Sequence, residues 1–152
     1  VPGLSNFQFI KQAKQSNGVA PNIRDDLFEF RALTNRFGLG TEWDKRQVNV
    51  DSSGGEKKKN ELIQMLMLNP KCAILDEPDS GLDVDGIKLL TEKLNEYIES
   101  DPTKVLIIIT HYEKLIEDLN VSSVSIMKDA NIKQHEGKDI AYQIFKEGFA
   151  NV

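Results

Sequence analysis

Two short and nearly all-apolar runs, at residues 72–75 and 105–109, constrain the fold of this chain more than any other feature. Runs of this length and texture are typical of parallel strands that are buried on both faces of a sheet. Apolar residues at helical spacing, among them Leu90 and Leu94, lie between the two runs. The order strand, helix, strand predicts an α/β fold with a covered, largely parallel sheet.

Helical patterns occupy most of the chain before the first of these strands. Capping signals and apolar spacing predict helices over residues 5–16, 24–37 and 54–68. Residues 1–50 are therefore interpreted as a helical subdomain, and residues 51–152 as the core of the fold.

After the second strand, the apolar segments are shorter and polar residues are more frequent. This pattern predicts a helix over residues 112–119, strands over 122–127 and 132–135 joined by a turn, and a last helix over 138–147. The whole chain therefore alternates strands with helices, as an α/β domain does.

The composition excludes several classes of protein. Apolar residues make up 39% and charged residues 28% of the 152, which is typical of a globular chain and not of disorder. The longest strong apolar run has five residues, whereas a membrane-spanning helix needs roughly 20. A net charge of −5 argues against non-specific nucleic-acid binding through a general basic field. The single cysteine, Cys72, excludes an internal disulfide framework, and its place in a predicted strand indicates a buried side chain.

The segment Ser53-Gly54-Gly55-Glu56 has the features of an anion site. Ser53 and Glu56, three positions apart, form a capping box at the start of a helix, and glycines allow close approach of a ligand to the backbone. Bare amides at a helix N-terminus favour negative charge. The alternative is a tight turn into a helix without any ligand.

Two carboxylates, Asp76 and Glu77, directly follow the first apolar strand. The carboxyl ends of parallel strands form the edge where open α/β sheets bind ligands. Asp76 is suited to holding Mg²⁺, directly or through water, and Glu77 to polarising an attacking water. His111 follows the second strand and is expected at the same edge as Glu77. The alternative is that the acids solvate a loop and that the histidine is structural.

The order and spacing of four motifs resemble those of ABC-type ATPases. Residues 53–56 resemble the signature motif, residues 73–77 the Walker B strand, residues 80–83 the D-loop and His111 the switch histidine. The fold class implied by this resemblance is a P-loop NTPase of ABC ATPase type, of which the chain represents the helical subdomain and the later part of the core sheet.

Within that superfamily, residues 55–61, 76–85 and 137–149 resemble the SufC family, the ATPases of Suf iron–sulfur cluster assembly. The resemblance implies a subunit that binds and hydrolyses ATP, dimerises around it and rearranges a scaffold of the SufB and SufD type. It also implies a location in the cytoplasm, or in a plastid stroma, including that of an apicoplast.

The resemblance assigns roles to individual residues. Glu77 and His111 are implied to be catalytic, and Asp76 to hold Mg²⁺. The residues implied to bind ATP are Ser53, Gly54, Gly55, Glu56 and Asp83.

The chain departs from the family pattern in one major respect. No Gly-x-x-x-x-Gly-Lys-Ser/Thr phosphate loop occurs in the 152 residues, and there is no family Q-loop. We therefore expect that residue 1 follows the Q-loop of a longer chain. Among smaller departures, Glu56 replaces the more general glutamine and Lys59 stands where arginine is common.

Two other functions remain open at this point. The chain has the chemistry expected of the ATPase of a membrane transporter, and it is also compatible with a non-catalytic interaction module that lacks a phosphate loop. Lys57, Lys58 and Lys59 form either a solvated face or a contact with phosphate or partner carboxylates. Phe28 lies about 100° from the predicted core face of its helix, so it is a candidate partner contact or an edge-packing residue.

Overall fold

The computed structural model describes residues 3–148, which form two compact units that divide between Ile109 and Thr110. The first unit contains three helices followed by a strand, a helix and a strand, and the second contains a β-hairpin between two helices.

The first three helices are α1 (Asn6–Ser16), α2 (Ile23–Arg36) and α3 (Gly54–Leu68). Their bounds agree with the predicted ones to within one residue, because local signals define their ends. A Ser5–Gln8 capping box begins α1, and Asn69, in the left-handed conformation with φ of 47°, ends α3.

The buried side of these helices forms the centre of the first unit. Ile10, Phe30 and Ile63, one from each helix, are fully buried. Phe28, in contrast, is 78% exposed, which confirms that it lies off the core face of α2.

Strands β1 (Cys72–Asp76) and β2 (Val105–Ile109) pair in parallel, and α4 (Val84–Glu99) connects them along the chain. Cys72 lies opposite Val105, and Asp76 opposite Ile109. Parallel pairing is confirmed, and it places both carboxyl ends at one edge of the sheet.

The prediction that these strands are buried on both faces is wrong. Ala73 is buried, but Ile74 is 66% exposed and Ile109 is 55% exposed, and Cys72 is exposed as well. A parallel sheet is covered on both faces only where a layer packs on each face. The part of the chain that the structure describes covers one face of this two-stranded sheet, so the residues that alternate onto the other face remain open to solvent.

The second unit contains α5 (Glu113–Asp118), an antiparallel hairpin of β3 (Ser123–Lys128) and β4 (Asn131–Glu136), and α6 (Asp139–Glu147). Asp129 and Ala130 between the two strands both have positive φ, 51° and 60°, as a two-residue type I′ hairpin turn requires. These strands form a sheet of their own and do not join β1 and β2. Among residues 3–148, the sheets are thus one parallel pair and one antiparallel pair.

The subdomain boundary that the sequence suggests at residue 50 stays a prediction. The division between the two compact units lies at another place, after Ile109.

Within the described part of the chain, no helix combines the length and apolar character that crossing a membrane would require.

Candidate functional site

The serine–glycine turn, residues 53–56, begins α3. Ser53 is the N-cap, and its Oγ accepts a hydrogen bond from the Glu56 amide at 3.2 Å. The Glu56 carboxylate accepts one from the Ser53 amide at 2.8 Å. The predicted capping box is confirmed.

Glu56 is more engaged within the turn than its assignment to ATP suggests. The hydrogen bonds from Ser53, with a smaller contribution from the nearby Arg46, hold the pKa of Glu56 below its ordinary value. Glu56 is therefore an anion at neutral pH that stabilises the turn. Its direct contact with ATP stays a prediction.

Asp76 and Glu77 lie where β1 ends, and both are exposed. The Glu77 amide donates to the carbonyl oxygen of Ile109 at 2.8 Å, which extends the pairing of the strands by one residue. Glu77 itself has a φ of 45°, a left-handed conformation that is uncommon outside glycine and is often found at functional sites. The separate roles predicted for Asp76 and Glu77 stay predictions.

Two contacts bring α3 to this edge of the sheet. The Nζ atom of Lys58 donates to the Asp76 carbonyl oxygen at 2.9 Å. A Cβ atom on Gly55 would lie 2.9 Å from the carbonyl oxygen of Gly81 in the D-loop segment, a distance that real Cβ atoms do not adopt. Glycine at position 55 thus allows close packing of the turn against residues 80–83, whatever its role toward a ligand.

Asp83 caps α4. Its Oδ1 accepts a hydrogen bond from the Gly86 amide at 2.7 Å, which satisfies an otherwise unpaired donor at the helix start. Its predicted contact with ATP therefore requires the second carboxylate oxygen or the backbone, and it stays a prediction.

His111 lies in the second unit and is exposed. Its expected place beside Glu77 stays a prediction. The structure thus brings together the predicted residues of the first unit: the serine–glycine turn, the end of β1 and the D-loop segment.

A buried polar network behind the turn was not predicted from the sequence. The Trp43 indole donates to Asn60 Oδ1 at 2.8 Å. The side-chain amide of Asn60 donates to Asn6 Oδ1 at 2.9 Å, and the side-chain amide of Asn6 donates to the backbone carbonyl oxygen of Trp43 at 3.1 Å. Each of the three residues is at most 2% exposed. Because Asn60 belongs to α3 and Asn6 to α1, the network fixes α3 to α1. The one sequence signal for this network was Trp43, a large aromatic residue in the mainly polar connector between α2 and α3.

The donor set at the end of β1 fits magnesium when a nucleotide supplies the other ligands. Mg²⁺ in phosphate sites is held by one or two carboxylates together with phosphate oxygens and water, and Asp76 is an exposed carboxylate at this edge. In the described part of the chain, no cluster of three or more His, Cys, Asp or Glu side chains forms a metal site by itself. A metal here would therefore depend on the phosphates.

Comparison of sequences finds relatives that are described as ATP-binding proteins and transporters. It is 35% identical over 155 residues to a probable ABC transporter ATP-binding protein of Streptococcus pyogenes serotype M18, covering 100% of this chain and 60% of that protein. It is 35% identical over 154 residues to the probable ATP-dependent transporter ycf16 of Antithamnion sp., covering 98% of this chain and 61% of the other. No protein-family model matches the chain.

Comparison of structures decides the fold. A structure described as the ATP binding subunit of an ABC transporter superimposes with a TM-score of 0.73 at 21% identity, covering 97% of this chain and 59% of that one. The fold is part of an ABC-type ATPase domain. An archaeal ribosome recycling factor, aABCE1, shares it with a TM-score of 0.67 at 16% identity, over 94% of this chain and 27% of its own. The ABC ATPase fold class predicted from the motifs is thus confirmed.

The homologues are ABC transporter ATP-binding proteins, and the chain spans about 60% of the length of the curated relatives it matches. The activity and partners of the whole protein are therefore treated below as proposals.

Proposed function

We propose that the chain belongs to an ATP-binding and ATP-hydrolysing subunit of SufC type, which dimerises around ATP to rearrange a scaffold of the SufB and SufD type. One observation carries the ATPase part of this proposal: the first unit contains both a serine–glycine turn at the start of α3 and exposed carboxylates at the end of β1, so each subunit can offer the turn to its partner's ATP and the carboxylates to its own. The sequence similarity over the whole chain to ABC transporter ATP-binding proteins supports it.

The mechanism follows from the donors and acceptors of this site. In the full-length protein, the phosphate loop of one subunit would hold ATP, and the serine–glycine turn of the other would close over the γ-phosphate. The Ser53 hydroxyl and the amides of Gly54 and Gly55, which lie at the start of α3, would donate hydrogen bonds to the anion.

The carboxylates after β1 would act on the other side of the phosphate. Glu77 would accept a hydrogen bond from the attacking water and orient it in line with the γ-phosphate. Asp76 would hold Mg²⁺, which neutralises developing charge on the phosphates when bound. His111 would donate a hydrogen bond to the γ-phosphate.

The 152-residue chain alone is expected to bind ATP weakly and not to hydrolyse it. A phosphate loop and its lysine supply the main contacts to the β- and γ-phosphates, and this sequence lacks that motif. Isothermal titration calorimetry with Mg-ATP measures this directly. Micromolar affinity of the isolated chain would contradict the proposal that the phosphate site lies in another segment.

A second candidate function is the ATPase subunit of a membrane transporter. The similarity to a probable ABC transporter ATP-binding protein and to a probable ATP-dependent transporter favours it. Co-purification of the full-length protein with SufB and SufD scaffold proteins, against a membrane permease, separates the two. We favour the SufC type, and with it the cytoplasm or a plastid stroma, because residues 55–61 and 76–85 resemble that family.

The non-catalytic module is the third candidate. A phosphate loop in the gene immediately before the codon for Val1 would exclude it.

We expect Phe28→Ala to weaken binding to the scaffold without affecting folding. Phe28 is 78% exposed on α2, so truncation removes apolar contact area from the surface but leaves the core intact. Affinity is measured by surface plasmon resonance with the scaffold immobilised, and thermal unfolding serves as the control. Unchanged affinity would remove Phe28 from the interface.

A further inference from the structure

The side chain of Arg46 lies between the buried network and the serine–glycine turn. Its guanidinium carbon lies 4.5 Å from the centroid of the Trp43 ring, in cation–π geometry. Its Nη2 donates to the carbonyl oxygen of Asp51 at 2.8 Å, and its Nη1 lies 3.5 Å from Oε1 of Glu56. One side chain thus contacts a buried aromatic ring, the loop before the turn and the turn itself.

The platform under Arg46 is fixed. Trp43 is 2% exposed, and its indole nitrogen is held by Asn60 in the buried network. The backbone of Arg46 is held as well, since its carbonyl oxygen accepts a hydrogen bond from the backbone amide of Asn6 at 2.9 Å. A planar guanidinium stacked on an immobile ring loses little further freedom when it forms additional hydrogen bonds.

The loop that Arg46 contacts has an unusual backbone conformation. Asn49 and Asp51 both have positive φ, 61° and 51°, which is uncommon outside glycine and is tolerated best by asparagine and aspartate. Arg46 donates to the carbonyl group of Asp51, two residues before the N-cap Ser53. The contact therefore fixes the direction from which the chain enters the turn.

The ion pair also accounts for a departure from the superfamily pattern. Glutamine at position 56 would serve a capping box as well as glutamate does, but it carries no charge. Glu56 accepts from the Ser53 amide through one oxygen and faces Arg46 with the other. The negative charge of Glu56 is thus paired with the positive charge of Arg46, which lies outside α3.

We propose that Arg46 is a positioning residue for the signature motif: through Glu56 and Asp51 it holds the serine–glycine turn in the conformation that presents the Ser53 hydroxyl and the glycine amides to a triphosphate. This inference rests on the proposed function, because a triphosphate is the ligand of that turn only in an ATP sandwich. Arg46 acts through its neighbours and needs no contact with the nucleotide.

The test uses the full-length protein with Arg46→Ala and Arg36→Ala as a matched pair. Arg36 forms a surface ion pair with Glu92 at 2.8 Å, and its side chain has an exposure of 46%, close to the 38% of Arg46. It therefore controls for the loss of an arginine and its ion pair. The first readout is amide hydrogen exchange of the peptide that covers residues 50–58. We expect faster exchange in Arg46→Ala than in Arg36→Ala, and equal exchange would overturn the proposal.

The second readout separates positioning from general damage. Binding of fluorescent ADP to the monomer should change by less than about twofold in Arg46→Ala, because the phosphate loop does that binding, whereas turnover at saturating ATP should fall about tenfold. A double-mutant cycle with Glu56→Gln should be non-additive, since both substitutions break the same ion pair. Additive losses, or turnover equal to that of Arg36→Ala, would overturn the proposal.

The proposed ATPase function and the proposed role of Arg46 are tested by different results. Absence of ATP turnover in the unsubstituted full-length protein would contradict the proposed function. Equal hydrogen exchange in the two arginine variants would contradict the role of Arg46 whether or not the protein is an ATPase.

Discussion

Glu77→Gln in the full-length protein is expected to lower ATP turnover about 10²-fold or more while ATP binding persists. Glutamine keeps the size and shape of the side chain but removes the charge and most of the proton affinity that orient a water. Glu77 lies one residue beyond β1, with its amide paired to Ile109, and this backbone contact is unaffected by the substitution. Steady-state hydrolysis and equilibrium ATP binding are the two measurements.

A matched control for this variant is Glu61→Gln, which removes the same charge from an exposed position on α3. Its turnover should stay near that of the unsubstituted protein. If Glu77→Gln also hydrolyses ATP at the unsubstituted rate, Glu77 is a solvated loop acid and not part of the mechanism.

Ser53→Arg is expected to abolish ATP-dependent dimerisation. The substitution places a long, bulky side chain at the N-cap, where Oγ accepts from the Glu56 amide, and in the proposed sandwich that position faces the γ-phosphate of the opposite subunit and has no room for it. Loss of an N-cap alone costs about 1 kcal/mol of stability, which is too little to unfold a domain of ordinary stability. Size-exclusion chromatography with Mg-ATP reports the dimer.

Ser53→Ala is the control for that experiment, since it removes the cap and the hydroxyl but adds no bulk. It should weaken the dimer less than Ser53→Arg does. Equal dimer formation by the arginine variant and the unsubstituted protein would show that Ser53 lies away from the interface.

Helix bounds and motif positions were predictable from the sequence because their causes are local. The capping box of Ser53 and Glu56 and the left-handed cap at Asn69 define both ends of α3 within the segment itself. The same holds for the hairpin turn, which was predicted over residues 129–131 and lies at Asp129 and Ala130, because Asn131 already pairs with Lys128.

Burial of the sheet was not predictable, because it depends on layers that the strand itself does not encode. The sequence of β2 is apolar throughout, yet Val105, Ile107 and Ile109 are about half exposed at 50%, 48% and 55%. Apolar character indicates that a strand is suited to burial on both faces, whereas actual burial requires an element on each side.

The contacts of the Arg46 side chain were not predictable from the sequence either. Its contacts depend on a loop in which Asn49 and Asp51 adopt left-handed conformations, and residue type alone does not specify such conformations outside glycine. The motifs identified the residues of the serine–glycine turn. The arginine that supports the turn lies in the connector between α2 and α3, where no apolar periodicity indicates its position.

The most direct test of the central claim is size-exclusion chromatography of full-length Glu77→Gln with Mg-ATP, compared with the double variant Glu77→Gln, Ser53→Arg. Hydrolysis normally reopens an ATP sandwich, so a variant that binds ATP without hydrolysing it should accumulate as a closed dimer. We expect a dimer for the single variant and a monomer for the double variant. A monomer in the first case, or a dimer in both, would contradict a shared site in which the serine–glycine turn of one subunit closes over the ATP of the other.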